Sequence, residues 1–286
     1  MKKRKIGIVV DSTTGSRFKN DFFADASIVD LTINVADKSY IDGELSNEDI
    51  LKFVDKKIKV QTSQPSPESF LNAFKEQLDL GYEHVICLTI SKGLSGTINS
   101  ANLAKDMIVN DNIIVIDSKT VGPGVTFLLE VINQGIEQGL EFTEVINKVN
   151  QKIDDITLYF SIEQLGALVA GGRLSKFQAT IGNILKIKPI LNFTQGSLSV
   201  VKKVRGVEAI YHYLAGQVKE AEEQGSGVVA KVTFVDNHDK AKKLIKDILE
   251  VTPSAEVKDF GPISAVVATH LGYSGLGVLV VKNGFN

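Results

Sequence analysis

The run Val85-Ile86-Cys87-Leu88-Thr89-Ile90, followed by Ser91-Lys92-Gly93-Leu94-Ser95-Gly96-Thr97, decides how the first half of this chain folds. An uncharged run dominated by β-branched and aliphatic side chains fits a strand covered on both faces. The polar turn breaks that pattern, a helical pattern spans residues 97–109, and a second β-branched run follows at residues 113–116. Strand, turn, helix, strand is a βαβ unit, and its two strands run parallel. Residues 6–10 read as another strand of the same sheet, with further helical patterns at residues 66–80 and 126–138.

In a parallel sheet of this kind, ligands bind beyond the carboxyl ends of the strands. Three polar segments fall at that edge: Asp11-Ser12-Thr13-Thr14, residues 91–97, and Asp117-Ser118-Lys119-Thr120. Upstream, Gln61-Thr62-Ser63-Gln64-Pro65-Ser66-Pro67 is a second hydroxyl-rich stretch that reads as a turn rather than a helix or strand. Both stretches concentrate small donors beside Pro or Gly, a composition that suits an anionic oxygen and equally suits an ordinary surface turn.

After about residue 155 the pattern changes. Residues 187–193 and 198–204 flank the turn Thr194-Gln195-Gly196-Ser197 and read as a hairpin, with helices near residues 207–224 and 240–251. Residues 227–235, 263–269 and 277–281 read as strands. The expected fold is therefore α/β, with an N-terminal parallel-sheet domain at residues 1–155 and a C-terminal α+β domain at residues 156–286. The 286-residue length fits two domains, and the seam between them is a natural ligand site.

Composition excludes several classes. A formal net charge of −2 gives no general attraction to nucleic acid or anionic membranes. The basic start before Ile6 precedes too short an apolar run for a secretory leader, and no later run reaches spanning length. One cysteine, Cys87, cannot form an internal disulfide and reads as a small core residue, which together point to the cytoplasm. His84, His212, His238 and His270 lack metal-ligand spacing, so no metal is expected. The phosphate-binding loop signature is absent, and Gly122-Pro123-Gly124-Val125-Thr126-Phe127 breaks off after two glycines of a dinucleotide fingerprint.

Ser95, Asp117 and His270 occur in the chain order of an α/β-hydrolase triad, but Gly93-Leu94-Ser95-Gly96-Thr97 lacks the second glycine of the nucleophile elbow. A binding hydroxyl is the preferred reading of Ser95, and no catalytic residue is assigned. Gly171-Gly172-Arg173-Leu174-Ser175-Lys176 fits a glycine helix stop with solvated charges. His270 is read at a strand terminus, ahead of the glycine-rich turn of residues 272–277.

In chain order, Asp11-Ser12-Thr13, Thr62-Ser63-Gln64-Pro65-Ser66-Pro67, Leu94-Ser95-Gly96-Thr97 with Ser100-Ala101, Asp117-Ser118, Gly171-Gly172-Arg173-Leu174-Ser175, Lys188-Pro189-Ile190-Leu191, Lys202-Lys203-Val204-Arg205-Gly206 and His270 resemble the DegV family of bacterial fatty-acid-binding proteins. The resemblance implies one long-chain fatty acid such as palmitate, stearate or oleate at the domain seam, and no cofactor. It also implies a separate fatty acid kinase that converts the presented carboxyl to acyl phosphate for phospholipid synthesis. By motif position, Thr62, Ser63, Ser95, Gly96, Thr97 and His270 would hold the carboxylate. Arg173, Asp11 and Ser118 would support that network, while Arg205 and Lys202 would meet the kinase. The expected state is a monomer with transient membrane-surface contact. The chain departs from the family pattern at Leu271, Tyr273 and Ser274, and around Gly122-Pro123.

A fatty acid places two demands on such a protein. Each buried methylene contributes about 0.8 kcal/mol, whereas the ionised carboxylate needs hydrogen bonds or a nearby cation. Phe160, Ile162, Leu165, Leu168, Ile181, Ile184, Leu185, Ile190, Leu191 and Phe193 could wall a tail tunnel, although most such residues serve ordinary cores. The alternatives are a serine esterase or thioesterase using Ser95 and His270, and a lipid-sensing regulator.

Overall fold

The computed structural model describes residues 4–15, 18–108, 110–163, 165–173, 187–225 and 227–285. Val109, Leu174, Ser175, Lys176, Ile181, Ile184 and Leu185, all invoked above, lie outside the described residues. The first half runs β1 (Ile6–Asp11), α1 (Phe18–Asp21), β2 (Ser27–Val29), β3 (Thr32–Val35), β4 (Lys38–Ile41), α2 (Asn47–Asp55), β5 (Val60–Ser63), α3 (Pro67–Asp79), β6 (His84–Thr89), α4 (Thr97–Ile108), β7 (Ile113–Asp117), α5 (Pro123–Glu137) and α6 (Phe142–Ile153). The second half runs β8 (Ile156–Ser161), α7 (Gly166–Ala170), β9 (Lys188–Thr194), β10 (Ser197–Val204), α8 (Glu208–Gln224), β11 (Val228–Phe234), α9 (His238–Val251), β12 (Glu256–Pro262), α10 (Ala265–Leu271) and β13 (Leu276–Lys282).

Strands β2, β1, β6 and β7 form the expected parallel sheet in that order. The second half builds a six-stranded sheet, β10-β9-β8-β13-β11-β12, antiparallel except where β11 pairs with β12. Between the two sheets lies α5, whose side chains are buried over most of its circumference, so it serves as a shared core helix. The outer face of the first sheet is covered by α3 and α4, and that of the second by α8 and α9. Among the described residues no helix is long and apolar enough to cross a membrane.

A small antiparallel sheet, β4-β3-β5, was not anticipated, and it changes the reading of one hydroxyl-rich stretch. Thr62 and Ser63 lie in β5, opposite Ile33 and Thr32 of β3, and not in a turn. The second correction concerns residues 263–269, which were expected as strand. Residues 265–271 are instead helix α10, and His270 sits in its last turn. The β-branched Val266, Val267 and Thr269 favour strand locally, but packing overrides that bias: Val266 closes on the core of Leu31, Ile33 and Ile50. The helix start is secured from far away in sequence, because the Val266 amide donates to Asp42 Oδ1 at 3.2 Å. A carboxylate there satisfies an unpaired first-turn donor and complements the helix dipole. Asp42 is held in turn by the Ser12 hydroxyl at 2.8 Å, and burial pushes its pKa up.

Candidate functional site

Four side chains from four elements of the fold converge on one internal cavity. Thr62 comes from β5, Ser95 from the turn after β6, Arg173 from the segment after α7, and His270 from α10. Thr62 reaches inward because strand side chains alternate: it shares a face with Val60, whereas Ser63 points outward and accepts a hydrogen bond from Asn34 Nδ2 at 2.9 Å. His270 Nε2 and Thr62 Oγ1 are 2.8 Å apart. Arg173 Nε donates to the Leu94 carbonyl at 3.1 Å, and its guanidinium also meets the Gly171 carbonyl. Arg173 is thereby tied to the turn that presents Ser95.

Electrostatics define the protonation states. Burial, reinforced by the nearby Arg173 charge, lowers the His270 pKa to about 4, so the imidazole is neutral at pH 7. A neutral imidazole that donates through Nε2 leaves the Thr62 hydroxyl hydrogen free for a ligand. The Arg173 pKa is lowered by burial, yet guanidinium remains cationic at any physiological pH. The head of the cavity therefore offers two hydroxyls, a neutral imidazole and one cation.

The remaining anticipated residues stand around this group. Thr97 is buried at the start of α4, and its hydroxyl lies 2.9 Å from Ser95 Oγ. Gly96 lets the two hydroxyl-rich segments meet, since a Cβ at that position would come within 2.0 Å of Gln64 Oε1. Gln64 spans the gap to Ser100 through a 2.9 Å bond. Asp11 is buried at the end of β1 and accepts from the amides of Thr13 and Ile90, at 3.0 and 2.5 Å. Burial raises its pKa to about 6, against the lowering effect of those bonds. Ser118 accepts from the Thr120 amide at 3.2 Å, and the Thr120 carbonyl in turn holds the Ser91 amide at 2.9 Å. Asp11 and Ser118 thus brace the backbone where β6 enters the Ser95 turn, and they are not among the cavity-lining residues. Lys202 and Arg205 are exposed at the far end of the β9–β10 hairpin. The other end of that hairpin touches the site: the Gly196 amide donates to the Lys119 carbonyl at 3.1 Å.

The hydrolase triad does not assemble. His270 Nε2 is engaged by Thr62 and the Ser95 hydroxyl by Thr97, while Asp117 Oδ1 accepts from the amides of Lys92 and Lys119 at 3.2 and 3.0 Å. Of the departures from the family pattern, Leu271 becomes cavity wall. Tyr273 turns outward to the Leu51 carbonyl at 3.2 Å and to Asp55, and Ser274 accepts from Lys240 Nζ at 2.8 Å.

Beyond its head the cavity is apolar. Among the described lining residues, only Thr62, Ser95, Arg173, Thr233 and His270 are polar, and the Thr233 hydroxyl is spent on the Gly261 carbonyl at 2.9 Å. Phe160, Leu168 and Phe193 are wall residues, whereas Ile190 and Leu191 belong to the cores. Leu31, Val121, Leu158, Leu198 and Val267 also form the wall, and no local sequence signal separates them from core residues.

Comparison with known proteins places this geometry among relatives. The profile of the family described as "Uncharacterised protein, DegV family" matches residues 5–283. A protein of Thermotoga maritima named "Fatty acid-binding protein" is 30% identical over 289 residues, covering 97% of this chain and 99% of its own length. A DegV family protein from Thermus thermophilus, described for its fatty acid binding, superposes with a TM-score of 0.90 at 26% identity, covering 97% of this chain and 99% of its own. A stearic acid-binding protein from Eubacterium ventriosum superposes with a TM-score of 0.88 at 25% identity, covering 97% and 98%.

Proposed function

This chain belongs to the DegV family, and on that premise we propose that it binds one long-chain fatty acid, such as palmitate, stearate or oleate, and presents the carboxylate to a separate kinase for acyl phosphate formation in phospholipid synthesis. The observation that carries the reading is an apolar cavity with a single polar head made by Thr62, Ser95, Arg173 and His270. The carboxylate accepts from the Thr62 and Ser95 hydroxyls within the field of Arg173, and the hydrocarbon fills the space between the sheets. Gly96, Thr97, Asp11 and Ser118 hold those donors in place, and Ser63 supports β5 from its outer face. The protein carries no catalysis of its own: the Ser95 hydroxyl is engaged by Thr97, away from His270, and the imidazole serves to hold Thr62 for the carboxylate. Residues 1–155 supply Thr62 and Ser95, and residues 156–286 supply Arg173, His270 and much of the tail wall. Lys202 and Arg205 are free in charge and position to meet an acidic partner surface. The setting is a cytoplasmic monomer that contacts membranes transiently.

Native mass spectrometry with organic extraction of the purified chain tests this reading. The expected result is one fatty acid per chain, and added oleate or palmitate should fill any empty protein. A protein that arrives empty and takes up neither acid refutes the proposal.

A further inference from the structure

One row of the six-stranded sheet crosses the cavity wall near the polar head. Strand β8 runs at its carboxyl end toward α7 and Arg173, while the antiparallel β13 begins just after α10 and His270, so these two strand ends lie together on the head side. One residue in from that end, Phe160, Gly277 and Thr233 stand side by side: Gly277 opposes Phe160 on β8 and Thr233 on β11. All three line the cavity. Residues directly opposite in antiparallel strands present their side chains to the same face, so the row reads large, absent, medium across the tail's path. The next cavity-facing row, with Leu158 beside Phe193, lies two residues deeper, about 7 Å on.

The glycine in that row is not required by backbone conformation. Its φ is not among the positive values, and Gly277 is a ladder residue in the interior of the sheet, where glycine weakens a strand. What it provides is space. A Cβ there would lie 3.1 Å from the Tyr159 carbonyl oxygen, 3.2 Å from Phe160 Cβ and 3.5 Å from Thr233 Cγ2, so alanine fits with small adjustments and a larger side chain must project into the cavity. The two flanks cannot easily open the gap themselves: both are buried, and the Thr233 hydroxyl is fixed on Gly261.

We infer that Gly277 is the residue that sets acyl chain length, as the throat through which the tail passes from the head compartment to the Leu158–Phe193 compartment. The inference rests on the fatty-acid reading. A side chain at the throat keeps terminal methylenes out of the deep compartment and leaves the carboxylate site intact. Each methylene left outside lowers affinity about fourfold.

The test measures dissociation constants of decanoate, tetradecanoate, hexadecanoate and octadecanoate for the delipidated wild type, Gly277→Ala and Gly277→Val, with thermal melts of each. The wild type should gain affinity through hexadecanoate. In Gly277→Val, hexadecanoate should weaken at least about tenfold while decanoate stays within about twofold, and Gly277→Ala should shift in the same direction by less. If the wild type binds no acid of the series, the fatty-acid reading fails and the inference with it. If the wild type binds the long acids and the folded variants bind them as tightly in the same order, the throat is refuted while the functional reading stands. Should the valine variant not fold, the alanine variant decides alone: an unchanged ratio of hexadecanoate to decanoate affinity overturns the inference.

Discussion

Replacing Thr62 with valine keeps the shape of the side chain and removes its hydroxyl, which separates two roles that the structure gives one atom. Thr62 Oγ1 is 2.8 Å from His270 Nε2 and is the inward-facing donor of β5 at the cavity head. Without it, the buried imidazole loses a partner in free and loaded protein alike, at a cost of about 1–3 kcal/mol that lowers the melting temperature and cancels in the binding constant. The bond to the ionised carboxylate exists only in the complex and is worth about 1.5–3 kcal/mol, which weakens binding by roughly 10- to 150-fold. A neutral alcohol of the same chain length forms only an ordinary hydrogen bond there and should weaken less, so the preference for acid over alcohol should shrink. The chain has no tryptophan, and displacement of a fluorescent fatty acid is the suitable assay. A lower melting temperature with unchanged acid affinity and unchanged acid-to-alcohol ratio would refute the reasoning, because Thr62 would then serve His270 alone.

Further expectations rest on other contacts. Arg173→Gln removes the one cation lining the cavity among the described residues, and should weaken the acid by about tenfold or more and the alcohol by less, read in the same displacement assay. For His270, the folded pKa of about 4 lies below the unfolded value near 6.5, so the unfolded chain binds the extra proton and stability falls as pH drops through that window, by up to about 3 kcal/mol. Asp11, raised to about 6, acts with the opposite sign, so the His270 term must be isolated as the stability difference between wild type and His270→Gln. That difference should grow from pH 4 to 6.5 and then level off in urea denaturation, and a flat difference contradicts the burial argument. Lys231 is buried on β11 and pairs with Glu130 of α5 at 2.9 Å. Glu130→Gln should cost about 3 kcal/mol by stranding that cation, while Lys231→Met should cost far less; equal losses in urea melts would contradict this.

What could be read from the sequence followed the reach of each interaction. The βαβ unit was legible because β6, the turn after it and α4 owe their form to neighbours in the chain, and the same holds for the β9–β10 hairpin. Helix α10 departs from the strand expectation because its start is secured by Asp42, more than two hundred residues away, and its β-branched residues mask the local boundary signals of Ser264 and Gly272. Thr62 lies at the cavity, but its strand depends on pairing with β3, which no pattern in residues 61–67 reveals. The tail wall was the least legible part. Phe160 and Leu191 look alike in sequence, and only packing decides that one borders a cavity and the other a core.

The central claim is that the polar cluster takes the carboxylate and the apolar cavity takes the tail. A crystal structure of the complex with a saturated fatty acid carrying bromine on its last carbon locates both ends at once. The account predicts the carboxylate within hydrogen-bond distance of Thr62 Oγ1 and Ser95 Oγ, and the anomalous bromine peak beyond Gly277 beside Leu158 and Phe193. A bromine beside His270, or a cavity that stays empty while the acid binds elsewhere, would contradict it.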